Sequence, residues 1–307
     1  MHRSSIYALA LIIGIFASMS ATLALTLYDK FRETDQWKSQ YLALEQNYNV
    51  TKSAFAAYKK ETNTMRRMVV LGESTDTKQA SQASDILYSY AAKVDGDVSI
   101  YYKDLTTNDT VIIDGDRQYY MASLYKVILT IYILDQIKQG NITMETQVRS
   151  PPLPLADALT KIITESNNEY AVSLAQKFGW SNINAAMESK LGIDFNFGSK
   201  LETNVKNIGA LFEDIALSLR LSDTDSSYLL QLLGDQKRLS KLPKYLPKNI
   251  LSHNKTGELD GYSHDAAIFY TPKENYILVF MSNTKNPGQT NETMAQMSKR
   301  LYQAINN

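Results

Sequence analysis

The sequence predicts an α+β fold, with one antiparallel sheet flanked by terminal helices and an all-helical lobe inserted between its strands. Three observations carry this expectation. Alternating or β-branched runs stand at Val98–Lys103 and Thr110–Ile113, and apolar runs at Ala266–Tyr270 and Tyr276–Ser282. Helical stretches, several closed by glycine, fill the interval between these two groups. One amphipathic run, Asp85–Val94, precedes the first strand and another, Glu292–Ile305, follows the last. Strands at both ends around a helical middle close into one sheet, with the terminal helices packed on one face.

The chain begins with Ile6–Leu27, which holds no charged residue and is rich in Ile, Leu, Ala, Phe and Met. About 20 apolar residues at a 1.5 Å rise span the ~30 Å hydrocarbon core of a bilayer, so residues 1–28 predict a transmembrane signal-anchor. The competing reading is a cleaved secretory signal, whose apolar part is usually about 7–15 residues. Ala21-Thr22-Leu23-Ala24 offers only a weak cleavage site for that reading. Arg3 and the terminal amine favour an inside N-terminus, so both readings export the rest of the chain. The expected location is a single-pass bacterial cell-membrane protein with its main domain extracytoplasmic.

Residues 29–71 read as a helical stalk. Trp37, Tyr41, Leu44, Tyr48, Thr51, Phe55, Tyr58, Thr62 and Met65 alternate spacings of four and three, the seam of a coiled coil. Homodimerisation through this seam and a single solvated helix are both open, because aromatic and Thr knobs pack less well than Leu or Ile. Residues 72–84 (GESTDTKQASQAS) are small and polar and read as a linker. Residues 85–307 then form one domain, long enough for a single well-filled core.

Inside that domain, Thr106-Thr107-Asn108-Asp109 turns the first two strands into a hairpin, and Thr271-Pro272-Lys273-Glu274 joins the last two. Helical stretches run over Leu124–Gln139, Leu155–Phe178, Ile183–Leu191 and Val205–Leu219, with Gly140, Gly179 and Gly192 after the first three.

Composition narrows the chemistry. The 307 residues carry 32 basic and 32 acidic side chains, no cysteine and three histidines. Without cysteine there is no disulfide, thiolate nucleophile, Cys-ligated zinc or acylated lipoprotein cysteine. Zero net charge argues against a broad basic face for nucleic acid. His2 adjoins the start methionine, which leaves His253 and His264, both read as strand-end polar residues. A histidine-based triad is therefore poorly supplied, and no metal or organic cofactor is implied.

Three motifs supply a different chemistry. Ser123-x-x-Lys126 opens a helix, where a spacing of three places hydroxyl and amine on one face. A desolvated lysine loses its proton more readily and can activate a serine. Ser166-Asn167-Asn168 follows the helical run Asp157–Thr164, offering one hydroxyl to relay a proton and one amide to orient substrate or lysine. Lys255-Thr256-Gly257, before Glu258, offers a cation, a hydroxyl and a close backbone approach. Each motif alone also fits a capped helix, a polar connection or an edge turn.

Their order in one domain resembles the penicillin-recognising serine enzymes, and more specifically the class A β-lactamases. The neighbouring text is similar as well: Ile163-Thr164-Glu165 before Ser166-Asn167-Asn168, then Glu169-Tyr170-Ala171, and His264-Asp265-Ala266-Ala267-Ile268 after Lys255-Thr256-Gly257-Glu258-Leu259. The resemblance covers residues 85–307 and implies the β-lactamase/transpeptidase-like fold.

It also implies roles. Ser123 is the acylated nucleophile, Lys126 its base, Ser166 the proton relay to the leaving nitrogen, and Asn168 a substrate-orienting amide. Lys255 and Thr256 hold a substrate carboxylate, Gly257 allows its approach, and the backbone N–H groups of Ser123 and Glu258 form the oxyanion hole. Two departures stand out. The Glu-x-x-x-Asn loop that activates the deacylating water in class A enzymes is missing between Gly192 and Thr203, where only Asp194 and Glu202 are acidic. Glu258 stands where Ser or Ala is usual, and would oppose a further substrate carboxylate unless it turns outward. The expected function is thus an extracytoplasmic serine acyl hydrolase acylated by β-lactams or D-Ala-D-Ala-type peptides, with slow β-lactam hydrolysis. A D,D-carboxypeptidase or endopeptidase acting on peptidoglycan stem peptides is the alternative, and a catalytically silent binding module a second one.

Overall fold

In the computed structural model, residues 77–306 are described, apart from 149, 150, 194, 198 and 199. The expected anchor and stalk lie outside them. Among the described residues, no helix is long and apolar enough to cross a membrane.

Helix α1 (Thr77–Ala91) leads into strands β1 (Gly96–Asp104) and β2 (Thr110–Ile113), which pair as the hairpin the sequence predicts. Asp104 closes their turn by accepting from the Thr106 and Thr107 amides at 2.6 and 2.9 Å. The chain returns to the sheet in β7 (Leu251–Leu259), β8 (Tyr262–Tyr270) and β9 (Tyr276–Thr284), and ends in α8 (Pro287–Asn306). The sheet order is β2-β1-β9-β8-β7, and every pairing is antiparallel. Its first and last segments therefore meet at its centre, where β1 pairs with β9 along Gly96–Asp104 and Thr284–Tyr276. Asp260 and Gly261 turn β7 into β8 with φ of 41° and 90°, the twist that suits a two-residue hairpin.

One face of the sheet is covered by α1 and α8, whose Leu87, Met294, Met297, Leu301 and Ile305 meet Ile100, Tyr102, Phe269, Leu278 and Phe280 in one cluster. This is the expected placement of the terminal helices. α1 starts at Thr77 rather than Asp85, so much of the polar stretch read as linker is helix. Lys, Gln and Ala favour helix, and Ala83 is buried against the core.

The opposite face carries the helical lobe. Its members are α2 (Tyr125–Lys138), α3 (Leu155–Thr160), α4 (Asn168–Phe178), α5 (Trp180–Leu191), α6 (Val205–Leu217) and α7 (Asp223–Gly234). α6 lies on the sheet, and a Cβ at Gly209 would stand 2.5 Å from the Tyr101 ring, so only glycine permits this approach. α2 is buried from Tyr125 to Leu134, which explains its apolar sequence on all sides. α7 escapes the periodicity reading because Asp223, Thr224, Asp225 and two serines begin it. Ser222 caps it by accepting from the Asp225 amide. The two-residue strands β3 (Tyr119–Tyr120) and β6 (Glu202–Thr203) pair with each other, as do β4 (Gln147–Val148) and β5 (Leu153–Pro154).

Leu87 is fully buried between α1 and the sheet. Leu87→Ala should lower unfolding free energy by about 2–5 kcal/mol in urea titration, because the emptied site is walled by sheet residues that cannot collapse into it. A loss below half a kcal/mol would contradict this packing.

Candidate active site

The three motifs converge where the lobe meets the last strand of the sheet. Ser123 sits in a 3₁₀ turn (Ala122–Leu124) just ahead of α2. Ala122 holds φ at 47°, a left-handed conformation costing a side-chain-bearing residue about 1–2 kcal/mol. Surrounding bonds fix it: the Met121 amide donates to Leu201 O at 2.8 Å, and the Leu124 amide to Met121 O at 3.1 Å. Ser123 itself stays partly exposed, while Lys126, one turn on, is completely buried.

Ser166 arrives through a break in what the sequence reads as one helix, Leu155–Phe178. After α3 the backbone widens into a π turn, Lys161–Glu165, closed by the Asn167 amide donating to Lys161 O at 3.1 Å. Ser166 follows with φ of 60°, and Asn167 starts α4 by capping the Tyr170 amide at 3.0 Å. An asparagine at the middle of the motif therefore serves as a helix cap, a task Asp performs equally well. Gln236, almost fully buried, ties the turn to the sheet by donating to Ile163 O at 2.9 Å and Asn254 O at 3.3 Å.

The Lys126 amine is the hub. It lies 3.0 Å from Ser123 Oγ, 2.6 Å from Ser166 O, 2.6 Å from Asn168 Oδ1 and 3.2 Å from Ser166 Oγ. Ser166 O and Asn168 Oδ1 are acceptors only, so they take two amine hydrogens. A neutral amine then presents its remaining lone pair to the hydroxyls. Burial, and secondly the Arg238 charge, pull the Lys126 pKa down to about 7. Lys255 approaches the same hydroxyl from β7, donating to Ser166 Oγ at 2.9 Å and to Thr256 O at 2.8 Å. Burial first and Lys126 second hold its pKa well below the ordinary lysine value.

β7 packs on the Ser123 turn through Gly257, where a Cβ would stand 3.1 Å from Met121 O and 3.3 Å from Ala122 Cβ. Thr256 is buried beside it. The side chain of Glu258 alternates away from the turn to meet Lys241 Nζ at 3.0 Å and Arg238 at 3.7 Å. Burial would raise its carboxyl pKa, but Lys241 and Arg238 hold it below the usual range. The outward-turned acid that the sequence left as a condition is thus what the fold provides.

All eight motif-derived positions gather here: Ser123, Lys126, Ser166, Asn168, Lys255, Thr256, Gly257 and Glu258. Glu202 stands in β6 opposite Tyr120, three residues before Ser123 in the chain, and Asp194 lies outside the described residues. Three polar residues of this region carry no sequence signal, Lys241, Gln236 and Arg238, while Asp265 stands in the family-like text after Lys255-Thr256-Gly257 without a role of its own. Those three fall in a stretch without periodicity or motif. Asp265 is fully buried, with its pKa raised to about 6 by burial, and accepts from Asn254 at 3.0 Å and the Leu242 amide at 3.1 Å. His264, also fully buried, lies 2.8 Å from Tyr120 O through Nε2 and accepts from the Ser282 amide at 3.2 Å. Burial drops its pKa to about 4, so it is a neutral structural link between β8 and the Ser123 turn. Among the described residues, no group of three or more His, Cys, Asp or Glu side chains is placed to hold a metal ion.

A model of the β-lactamase enzyme family matches residues 79–305. Solved structures with the same fold include the TLA-1 extended-spectrum β-lactamase, at 17% identity and a TM-score of 0.67 over 75% of this chain and 100% of that one. A β-lactamase from Chitinophaga pinensis matches at 20% identity and 0.64, over 73% of this chain and 100% of its own. A PBP-A variant, described as an acyl-enzyme complex with penicillin G, matches at 18% and 0.65 over 74% and 96%. No curated protein matched the sequence.

The depressed Lys126 pKa is directly measurable. With ¹³C-labelled lysine, one side-chain resonance, absent in Lys126→Met, should titrate near pH 7, far below the ~10.4 of free lysine. Arg238→Gln should move that midpoint upward by removing a like charge. A Lys126 midpoint near 10 would overturn this electrostatic account.

Proposed function

Because the chain belongs to the β-lactamase enzyme family, we propose that it is a serine acyl hydrolase in which β-lactams or D-Ala-D-Ala-type peptides acylate Ser123 and the β-lactam adduct is hydrolysed slowly. The observation that carries this reading is the Lys126 amine, buried, held by two acceptors and 3.0 Å from Ser123 Oγ. Neutral Lys126 takes the Ser123 proton as Oγ attacks the carbonyl carbon. The new ammonium hydrogen faces Ser166 Oγ at 3.2 Å, and the Ser166 hydroxyl hydrogen passes to the leaving nitrogen. Lys255 keeps Ser166 in place and, with Thr256, supplies the positive field and hydroxyl for a substrate carboxylate. Asn168 orients both the amine and the substrate. The Ser123 and Glu258 amides receive the oxyanion.

Slow release follows from the segment between Gly192 and Thr203. It contains no Glu-x-x-x-Asn, so water has no dedicated glutamate there and deacylation falls to the amine that served acylation. That balance suits a D,D-peptidase of peptidoglycan as well as a weak β-lactamase. The uncharged run Ile6–Leu27 agrees with both, as it anchors the domain outside a cell membrane within reach of cell-wall stem peptides. A silent binding module is disfavoured, since Ser123, Lys126, Ser166 and Lys255 are all intact and in bonding contact.

Fluorescent penicillin followed by denaturing electrophoresis tests the acylation. Wild type should be labelled and Ser123→Ala should not, while Lys126→Met should label about 10²–10⁴ times more slowly. No label on wild type, or label persisting in Ser123→Ala, would defeat the proposal. Acylation efficiency should rise tenfold per pH unit below about 7 and level off above it, because only the neutral Lys126 amine accepts the proton. A flat profile between pH 5 and 8 would remove Lys126 as the base. Single-turnover decay of the nitrocefin adduct separates the two activities: rapid turnover means a β-lactamase, whereas a long-lived adduct together with D-Ala release from a peptide means a peptidase.

A further inference from the structure

Lys241 belongs to no motif, yet it is completely buried, a costly state for an ammonium. It stands on the opposite side of β7 from the Ser123 turn. Its Nζ donates to Gly257 O at 3.3 Å and His264 O at 3.0 Å, the carbonyls of two residues paired across β7 and β8, and meets Glu258 Oε1 at 3.0 Å. Gly257 O matters most, because the same planar peptide unit ends in the Glu258 N–H. In a trans peptide the carbonyl and the N–H point in opposite directions. With the carbonyl directed toward Lys241 and β8, the Glu258 N–H is directed toward the open edge of β7, the last strand of the sheet.

We propose that Lys241 is a positioning residue for the oxyanion hole: its ammonium binds the carbonyl end of the Gly257–Glu258 peptide and so strengthens the N–H at the other end as a donor. The inference rests on the acyl-transfer reading, which makes that N–H an oxyanion donor. Hydrogen bonds to the two ends of one peptide polarise each other, the more so where water is excluded. Charged and titratable groups around the ammonium are Glu258 and Arg238 at the surface, Asp265 and His264 from β8, and Lys255 on β7. Burial pulls the Lys241 pKa down, and the Glu258 and Asp265 carboxylates oppose that pull. This also gives the unusual glutamate a task. It folds back as counter-ion to a cation behind the oxyanion strand and leaves the substrate side free.

The test uses the full chain with Lys241→Met and Lys241→Gln, both uncharged, and Lys241→Arg. Two quantities are read per titratable active site: the acylation rate constant with benzylpenicillin, and the infrared carbonyl stretch of the Ser123 ester. Met and Gln should slow acylation about 3- to 10-fold, a fraction of the ~10²–10³ lost when an oxyanion donor is removed. They should also raise the ester stretching frequency and leave the non-covalent dissociation constant unchanged, while Arg recovers most of the rate. If the Met variant does not fold, the Gln variant, which keeps a polar side chain but removes the charge, carries the same comparison. An unchanged ester frequency in a folded neutral variant overturns the inference, whether the rate falls or not. Absence of acylation in wild type would instead sink the acyl-transfer reading, and this inference with it.

Discussion

Three lysine amines without access to water organise this molecule. Lys126, Lys255 and Lys241 are each completely buried, and each is held by several oxygen acceptors or charged partners. An ammonium in such a place is unfavourable, so the surrounding backbone must offer carbonyls at fixed points. Ser166, just after the π turn, provides one, Thr256 another, and the Gly257–His264 pair two more. Part of the irregular backbone in this region is thereby accounted for, including the left-handed Ser166. Strain of this kind persists only where packing over-determines it.

The fold divides the work. The lobe supplies Ser123 from the 3₁₀ turn, Lys126 from α2 and Ser166 from just after the π turn, in the proposed roles of nucleophile, base and relay, while the sheet supplies its edge strand β7. Gly257 is the joint, since its missing side chain lets β7 rest on the Ser123 turn. Gln236, His264 and Lys241 hold that joint from three directions, by bonds to the turn before Ser166, to Tyr120 and to β7 itself. None of them needs to touch a substrate. Their common effect is to fix distances between elements far apart in the chain, the condition under which preorganised donors contribute most.

Legibility in the sequence followed the type of signal. Alternating or β-branched residues located the hairpin β1–β2 and continuous apolar runs the pair β8–β9, because both signals survive in one strand alone. Short motifs located Ser123, Lys126, Ser166 and Lys255, because residues three apart on a helix share a face whatever else the chain does. Leu155–Phe178 read as one helix, since nothing local distinguishes a π turn from an α turn when its carbonyls are captured by Gln236 and Lys237 from another segment. The early start of α1 at Thr77 was hidden for a similar reason. Small polar residues look like linker until Ala83 has a sheet to rest against.

The sequence by itself carried the motifs: Ser123-x-x-Lys126, Ser166-Asn167-Asn168 and Lys255-Thr256-Gly257, in the order that resembles the penicillin-recognising serine enzymes, are what the proposed lysine-activated acyl transfer is read from. It also determined the fold class, since strands at both ends must close around the middle to bury their faces. Only the tertiary structure decided the electrostatics. Whether a lysine is charged, which way Glu258 turns and what Lys241 holds depend on burial and on partners dozens of residues away. Those are properties of the folded neighbourhood, because desolvation and Coulomb interactions depend on distance in space and not on distance along the chain.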